Sequence, residues 1–273
     1  MTAGTRLGLE GACDCHVHVY EDHWPLAPSA TFKPPHAPAS AYREVQRALG
    51  LARVIVVQPT GYAFDNRCTL DAIAQLGSGA RGIVVLPPDV ADAELERLHA
   101  AGVRGVRFMM LPGGVLPWSS LEALAARIAP LGWNVNLQLD GRDLPLHEAV
   151  LSRLPCRLVI DHIGKFLGPV HIDDDGFGAL CRLLDGGRCW VKLSAPYESS
   201  RSGPPGYHDV APLVRALSGR YPERGLWASN WPHPNVKPGP DNAALLGWAL
   251  GCIGSDATRR RALVDNPAAL YGF

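Results

Sequence analysis

His16 and His18 stand two residues apart in the stretch D-C-H-V-H-V-Y, close to the start of the chain. Side chains at i and i+2 of a β-strand point to the same face, so both imidazoles would project together from a strand. Such a pair can bind a metal ion, transfer protons or polarise a carbonyl group. The motif alone leaves a structural alternative open, in which both rings are bonded to backbone atoms.

Other polar side chains stand at or just after the ends of apolar segments. His162 follows R-L-V-I-D, and Arg107 lies in G-V-R-F-M. The fork of an Arg guanidinium matches the two oxygens of a substrate carboxylate, although an ion pair with a neighbouring acid is an equal alternative. The remaining candidates for hydrogen bonds to a polyhydroxylated substrate are Gln138, Ser194, Tyr197, Thr60 and His233.

Asn230 closes the segment L-W-A-S-N, where a hydrolytic site would be expected to carry an acid. An amide does not accept a proton at neutral pH and is a poor metal ligand. We therefore expect no metal and no other cofactor, although Lys192 keeps a two-metal site as an alternative. A serine hydrolase is less compatible with the sequence, since the motif G-x-S-x-G is absent.

These residues need a scaffold that brings the ends of strands together. Eight β-rich segments alternate with helical patterns, and several are rich in Val and Ile, as in parallel strands covered on both faces. The pattern predicts one (β/α)8 barrel domain over residues 1–273, with functional groups at the carboxyl ends of its strands. A doubly wound sheet is the rival fold, but the G-x-G-x-x-G motif that would favour it is absent. The eight segments are 12–18, 53–58, 81–86, 105–109, 134–139, 157–162, 189–194 and 226–230.

The amino-acid composition excludes several classes of protein. Of 273 residues, 47% are hydrophobic and 19% charged, which indicates a compact chain rather than a disordered one. Lys and Arg number 26, as do Asp and Glu, so we expect no nucleic-acid or membrane partner. No apolar run is long enough to span a membrane, and the N-terminal residues do not resemble a signal peptide. Seven cysteines without C-x-x-C indicate reduced thiols, so we expect a cytoplasmic protein with a small-molecule substrate.

Three motifs taken together resemble the amidohydrolase superfamily: D-C-H-V-H, V-I-D-H-I-G and W-A-S-N-W-P-H-P. The resemblance is to the superfamily's branch of sugar and pyrone lactonases. The segments A-G-V-R-G-V-R-F and D-N-P-A-A-L-Y-G-F also match that branch. It implies a (β/α)8 barrel that works without a metal, in which His16, His18 and His162 polarise a lactone carbonyl. It also implies that Arg107 holds a substrate carboxylate and that an aspartate on strand 8 activates water.

Asn230 departs from that pattern, because the lactonases carry Asp at this position in D-W-P-H-P. The variant, together with M-M-L-P-G-G-V-L-P-W and K-L-S-A-P-Y-E, resembles members of the branch that isomerise a sugar-acid lactone in galacturonate breakdown. In such a reaction a substrate hydroxyl attacks the carbonyl in place of water, and His18 or His162 would relay the proton. Hydrolysis of a sugar-acid lactone or of a pyrone dicarboxylate is one alternative function, and non-catalytic binding of a sugar acid is another.

Overall fold

The computed structural model describes residues 8–273, in which eight strands form one sheet in the order of the chain. Every neighbouring pair of strands is parallel. Each strand is followed by a helix, so the predicted (β/α)8 barrel is confirmed. The strands are β1 (Cys13–Val17), β2 (Arg53–Val57), β3 (Ala80–Val84), β4 (Val103–Met109), β5 (Asn134–Gln138), β6 (Arg157–Ile160), β7 (Cys189–Leu193) and β8 (Gly225–Trp227).

The residues that follow β8 join the sheet to β1. Trp231 pairs in parallel with Val17, and its carbonyl oxygen accepts a hydrogen bond from His18 N at 2.8 Å. Asn230 N donates to His16 O at 3.0 Å. The contact between first and last strands therefore places Asn230 beside the His-x-His pair through backbone hydrogen bonds.

The helices cover the outer face of the barrel. Val17 of β1 and Val54 of β2 pack against Tyr42 and Ala72 of the first two helices. The first helix ends at Leu49 and is capped by Gly50, whose φ of 74° is a conformation that glycine adopts without a steric penalty. The helices are α1 (Ala39–Leu49), α2 (Arg67–Leu76), α3 (Asp92–Ala100), α4 (Leu121–Ile128), α5 (Leu144–Leu151), α6 (Asp175–Asp185), α7 (Ala211–Arg220), α8 (Asn242–Cys252), α9 (Asp256–Arg260) and α10 (Asn266–Tyr271).

A β-bulge in β1 decides which of its side chains face inward. The register with β2 shifts between Asp14 and Val17, so β1 carries one extra residue there. Cys15 packs with the barrel interior, and the next residue, His16, also contacts interior side chains. Val17 returns to the helix-facing side, and His18 faces inward again. The bulge thus adds His16 to the interior without breaking the i, i+2 relation with His18.

Two expectations from composition can be compared with this fold. All seven cysteines are unpaired and buried, as predicted for reduced thiols. Across residues 8–273, no helix combines the length and the apolar character that crossing a membrane requires.

Candidate active site

A cavity of about 370 Å³ opens at the carboxyl ends of the strands, where barrel enzymes place their active sites. Thr31 and Phe32, from the Pro-rich segment between β1 and α1, form part of its wall. Six of the ten residues predicted from sequence also line it. They are His18, Thr60, Arg107, Gln138, His162 and Asn230.

The other four predicted residues stand in a second row and contact this lining. Ser194 Oγ lies 2.9 Å from Nδ1 of His162. His16, which is fully buried, has its Nε2 at 3.1 Å from Nε2 of His18. These contacts make the second row a support for the groups that face the cavity. Its members are His16, Ser194, Tyr197 and His233.

A chain of hydrogen bonds fixes the tautomers of the His-x-His pair. Lys192 Nζ donates to His16 Nδ1 at 2.8 Å, which leaves the His16 proton on Nε2. That N–H points at Nε2 of His18, while His18 Nδ1 donates to the carbonyl oxygen of Val57 at 2.7 Å. Because a carbonyl oxygen only accepts, both nitrogens of neutral His18 are occupied, Nδ1 as a donor and Nε2 as an acceptor.

Beneath the cavity lies a buried polar layer formed by His16, Asn136, Asp161 and Lys192. Asp161 Oδ1 accepts from Asn136 Nδ2 at 2.7 Å and lies 3.1 Å from Lys192 Nζ. Burial raises the pKa of Asp161, but the charge of Lys192 acts in the opposite direction, and the pKa lies well below its usual range. The layer therefore contains an ion pair at 0% exposure, where either charge would be costly without the other.

The three histidines are held in the neutral form. Burial lowers the pKa of His18 to about 3, with the positive charge of Arg107 acting in the same direction. Burial also lowers the pKa of His16 and of His162, with Lys192 adding to the effect at both. Neutral imidazoles can polarise a carbonyl through an N–H group, but rings with such low pKa values are weak bases.

The donor atoms of His16, Asp161 and His162 lie within 4.8 Å of one another, which raises the question of a metal site. Lys192 Nζ, however, lies 2.8 Å from His16 Nδ1 and 3.1 Å from Asp161 Oδ1. An ammonium group among the donors repels a metal cation and occupies lone pairs that the metal would need. The strand-8 position adds only the amide of Asn230. The donor set found in residues 8–273 does not fit a resident metal ion.

Arg107 brings a positive charge to the cavity from β4. Its Nη1 donates to Gln58 O and its Nη2 to Gln138 Oε1, both at 2.9 Å. The third nitrogen, Nε, is buried and has no partner within the described residues. Both partners are neutral groups, so the charge is available to an anionic ligand, and within residues 8–273 Arg107 forms no ion pair with an acid.

Asn230 is held by its nitrogen and left free at its oxygen. Its Nδ2 donates to Tyr197 OH at 3.0 Å and to Glu198 Oε1 at 3.2 Å. A carboxylate only accepts hydrogen bonds, so the contact with Glu198 fixes which end of the amide is the nitrogen. Tyr197 OH in turn lies 2.7 Å from Nδ1 of His233, whose Nε2 contacts Asn242 Oδ1 at 3.0 Å. The Oδ1 of Asn230 is buried and unpartnered within residues 8–273.

Lys165 and Glu198 also line the cavity, and sequence reasoning missed both. Lys165 Nζ contacts Glu198 Oε2, and the two side chains are only 11% and 12% exposed. Burial lowers the pKa of Lys165 to about 8. The sequence signal that could have identified them is their position beside predicted site residues. Lys165 follows His162 by three residues, and Glu198 follows Tyr197 directly. Charged loop residues are usually solvated, so only the pairing of two loops makes these a buried ion pair.

Left-handed backbone conformations concentrate at the same rim of the barrel. Asn230 has a φ of 62° and His162 a φ of 51°. Non-glycine residues in this region cost about 1–3 kcal/mol each and persist only where the surrounding structure enforces them. The rim after β6, β7 and β8 is therefore built at a cost in stability. The left-handed non-glycine residues of these loops are His162, Ile163, Lys165, Ala195, Tyr207, Asn230 and His233.

Two relatives resemble this chain in sequence over nearly its whole length. It is 38% identical to D-galactarolactone isomerase of Agrobacterium fabrum, over 99% of this chain and 94% of the relative. It is 35% identical to 2-pyrone-4,6-dicarboxylate hydrolase of Comamonas testosteroni, over 96% and 90% of the two chains.

A solved structure has the same fold. The ligand-free crystal structure of an Agrobacterium tumefaciens protein superposes with a TM-score of 0.92 at 37% identity, covering 100% of this chain and 98% of that one. The sequence profile of the family described as Amidohydrolase matches residues 13–273. The predicted resemblance is thereby confirmed: the chain belongs to the amidohydrolase family.

Proposed function

We propose that the protein is a lactone-processing enzyme that converts D-galactaro-1,5-lactone into D-galactaro-1,4-lactone without a metal ion. In this reaction the 4-hydroxyl of the substrate attacks the lactone carbonyl and the ring oxygen leaves. The names of both sequence relatives, an isomerase of a lactone and a hydrolase of a pyrone, support the substrate class. Such an enzyme would act in galacturonate breakdown.

The observation that carries the proposal is the free oxygen of Asn230. A buried acceptor without a partner costs about 1–3 kcal/mol, and a substrate hydroxyl entering the cavity would satisfy it. An amide oxygen can orient that hydroxyl but cannot take a proton from water at neutral pH. A tethered hydroxyl needs orientation more than activation, because well-placed intramolecular attack can supply about 7–11 kcal/mol of the barrier.

Arg107 would hold the carboxylate at the far end of the lactone. Arg107 lines the cavity, both of its partners are neutral, and its Nε is unpartnered within the described part of the chain. A charge-assisted hydrogen bond of this kind contributes about 1.5–3 kcal/mol to binding.

His162 would donate to the oxyanion that forms on the carbonyl oxygen. Donation from Ser194 Oγ to its Nδ1 would leave the proton on Nε2, the nitrogen that can then serve the substrate. His16 carries its proton on Nε2 as well, but that N–H points at His18. The contribution of His16 to the oxyanion would therefore depend on the position of the His18 ring.

Hydrolysis of a sugar-acid lactone is a second candidate, favoured by one observation. The Glu198 carboxylate lies in the cavity beside Asn230 and could activate water in place of the missing aspartate. The two functions differ in the order of products. Incubation with the 1,5-lactone, followed by NMR, is expected to show the 1,4-lactone before the open diacid. Early accumulation of the open diacid would refute the isomerase proposal and support hydrolysis.

The metal-free part of the proposal has its own test. Prolonged dialysis against a chelator, followed by elemental analysis and assay, is expected to leave the rate unchanged. A loss of activity that is restored by a divalent cation would contradict it.

A further inference from the structure

The proposed isomerisation needs a group that takes a proton from one substrate oxygen and delivers a proton to another. Residues that form no contact with the cavity cannot do this directly, which excludes the fully buried Lys192. His18 has its Nε2 engaged by His16 and a pKa lowered to about 3. Burial lowers the pKa of His162 as well, which makes that ring a weak base. The amide of Asn230 cannot accept a proton at neutral pH.

Two groups in the cavity remain that can exchange protons at neutral pH. Glu198 and Lys165 both line it, and they form an ion pair with each other. The pair adjoins the proposed position of the attacking hydroxyl, because Glu198 Oε1 is 3.2 Å from the Asn230 nitrogen. One amide would thus orient the nucleophile through its oxygen and hold the neighbouring carboxylate through its nitrogen.

We propose that Glu198 and Lys165 are the proton carriers of the isomerisation, with Glu198 as the base and Lys165 as the acid. The inference rests on the proposed function. Glu198 takes the proton from the 4-hydroxyl as the bond from O4 to the carbonyl carbon forms. Lys165 gives a proton to O5 as the bond between that carbon and O5 breaks. One proton then passes from the Glu198 carboxyl to the Lys165 amine across their contact, which restores the starting charges.

The geometry accounts for the direction of this transfer. The Lys165 ammonium stabilises Glu198 as a carboxylate, which is the form a base requires. Burial lowers the pKa of Lys165 toward about 8, while the adjoining carboxylate of Glu198 favours the charged form, so the ammonium needed for proton donation is present at neutral pH. Both partners are only slightly exposed, and their direct contact gives the proton a path from one to the other.

Replacement of the carboxylate by an amide tests the base. Glu198→Gln is expected to lower kcat for conversion of the 1,5-lactone by about 10²–10⁴-fold while KM changes little. Glu198→Asp, which keeps the charge on a shorter side chain, should retain more activity than Glu198→Gln. A matched control is Glu148→Gln, which removes a half-buried carboxylate of α5 that pairs with Arg182 of α6 away from the cavity, and it is expected to leave kcat unchanged. Thermal unfolding of each variant reports whether it is folded.

The outcomes separate this inference from the proposed function. If the wild-type protein forms the 1,4-lactone first and Glu198→Gln keeps kcat within about threefold, the proton-carrier assignment is wrong and the isomerase function stands. If the wild-type protein forms open diacid first, the function itself is wrong. Should Glu198→Gln fail to fold, the rate of Glu198→Ala with added formate decides: recovery of kcat supports a base at this position, and no recovery overturns it.

Discussion

Two polar regions of the barrel lie one above the other and are built differently. The buried polar layer of His16, Asn136, Asp161 and Lys192 lies on or directly beside strands and is linked by short hydrogen bonds. The rim of the cavity comes from loops after β6, β7 and β8, with left-handed residues and a free acceptor on Asn230. The layer fixes charge and tautomer, whereas under the proposed function the rim determines which nucleophile reacts.

The largest effect is expected from breaking the layer with Lys192→Met. Loss of one partner of a buried ion pair leaves Asp161 unpaired and should cost about 3–5 kcal/mol of unfolding free energy, measured by urea denaturation. Activity should be abolished as well, since His16 loses the donor that fixes its tautomer. The control Arg220→Met breaks an exposed pair with Asp185 and should change stability by no more than about 1 kcal/mol. Similar losses of unfolding free energy in Lys192→Met and Arg220→Met would show that the layer has no special role in stability.

Arg107 stands between the two regions, and Arg107→Gln tests whether it binds the substrate carboxylate. It should lower kcat/KM about 10- to 100-fold, mainly through KM, because one charge-assisted hydrogen bond is lost. Arg104→Gln is the matched control, since Arg104 lies on the same strand but donates to backbone carbonyls of His99 and Val103. An unchanged KM for Arg107→Gln would mean that the carboxylate is bound elsewhere.

Asn230→Asp tests the rim directly. A carboxylate at this position can activate water, so the ratio of hydrolysis to isomerisation should rise by about tenfold or more. Product ratios from NMR time courses give this number. Asn235→Asp adds a negative charge at another residue that lines the cavity and should leave the ratio unchanged. If hydrolysis does not increase, the strand-8 side chain does not face the reacting carbonyl.

The smallest effect is a pH dependence set by Lys165. Because burial lowers its pKa to about 8, the ammonium is lost as pH rises through that value, and kcat should decline above it. Stability should change in the opposite direction. Between about pH 8 and pH 10.5, Lys165 binds more protons in the unfolded chain than in the folded protein, because its folded pKa lies below the ordinary 10.5. The contribution of Lys165 to stability therefore rises with pH over this range. A kcat that stays level from pH 7 to 9.5 would argue against Lys165 as an acid.

The sequence was most informative about the barrel and the strand-borne histidines. Val- and Ile-rich segments mark parallel strands, and the i, i+2 spacing places His16 and His18 on one face. The β1 bulge, which turns His16 inward together with Cys15, has no such signal because it depends on pairing with β2.

The rim was much less predictable. Lys165 and Glu198 are polar residues in separate loops, and their pairing requires both loops to be folded over the cavity. The orientation of the Asn230 amide depends on the same contact. Residue types at strand ends therefore indicate where a site lies, whereas its proton chemistry depends on tertiary contacts between loops.

The central claim is that the nucleophile is the substrate's own hydroxyl rather than water. Conversion of the 1,5-lactone in H₂¹⁸O, followed by mass spectrometry of the 1,4-lactone, tests it most directly. Intramolecular attack predicts a 1,4-lactone without ¹⁸O at the carbonyl carbon. Incorporation of ¹⁸O into the 1,4-lactone at early times would show that water attacks first, and would contradict the account.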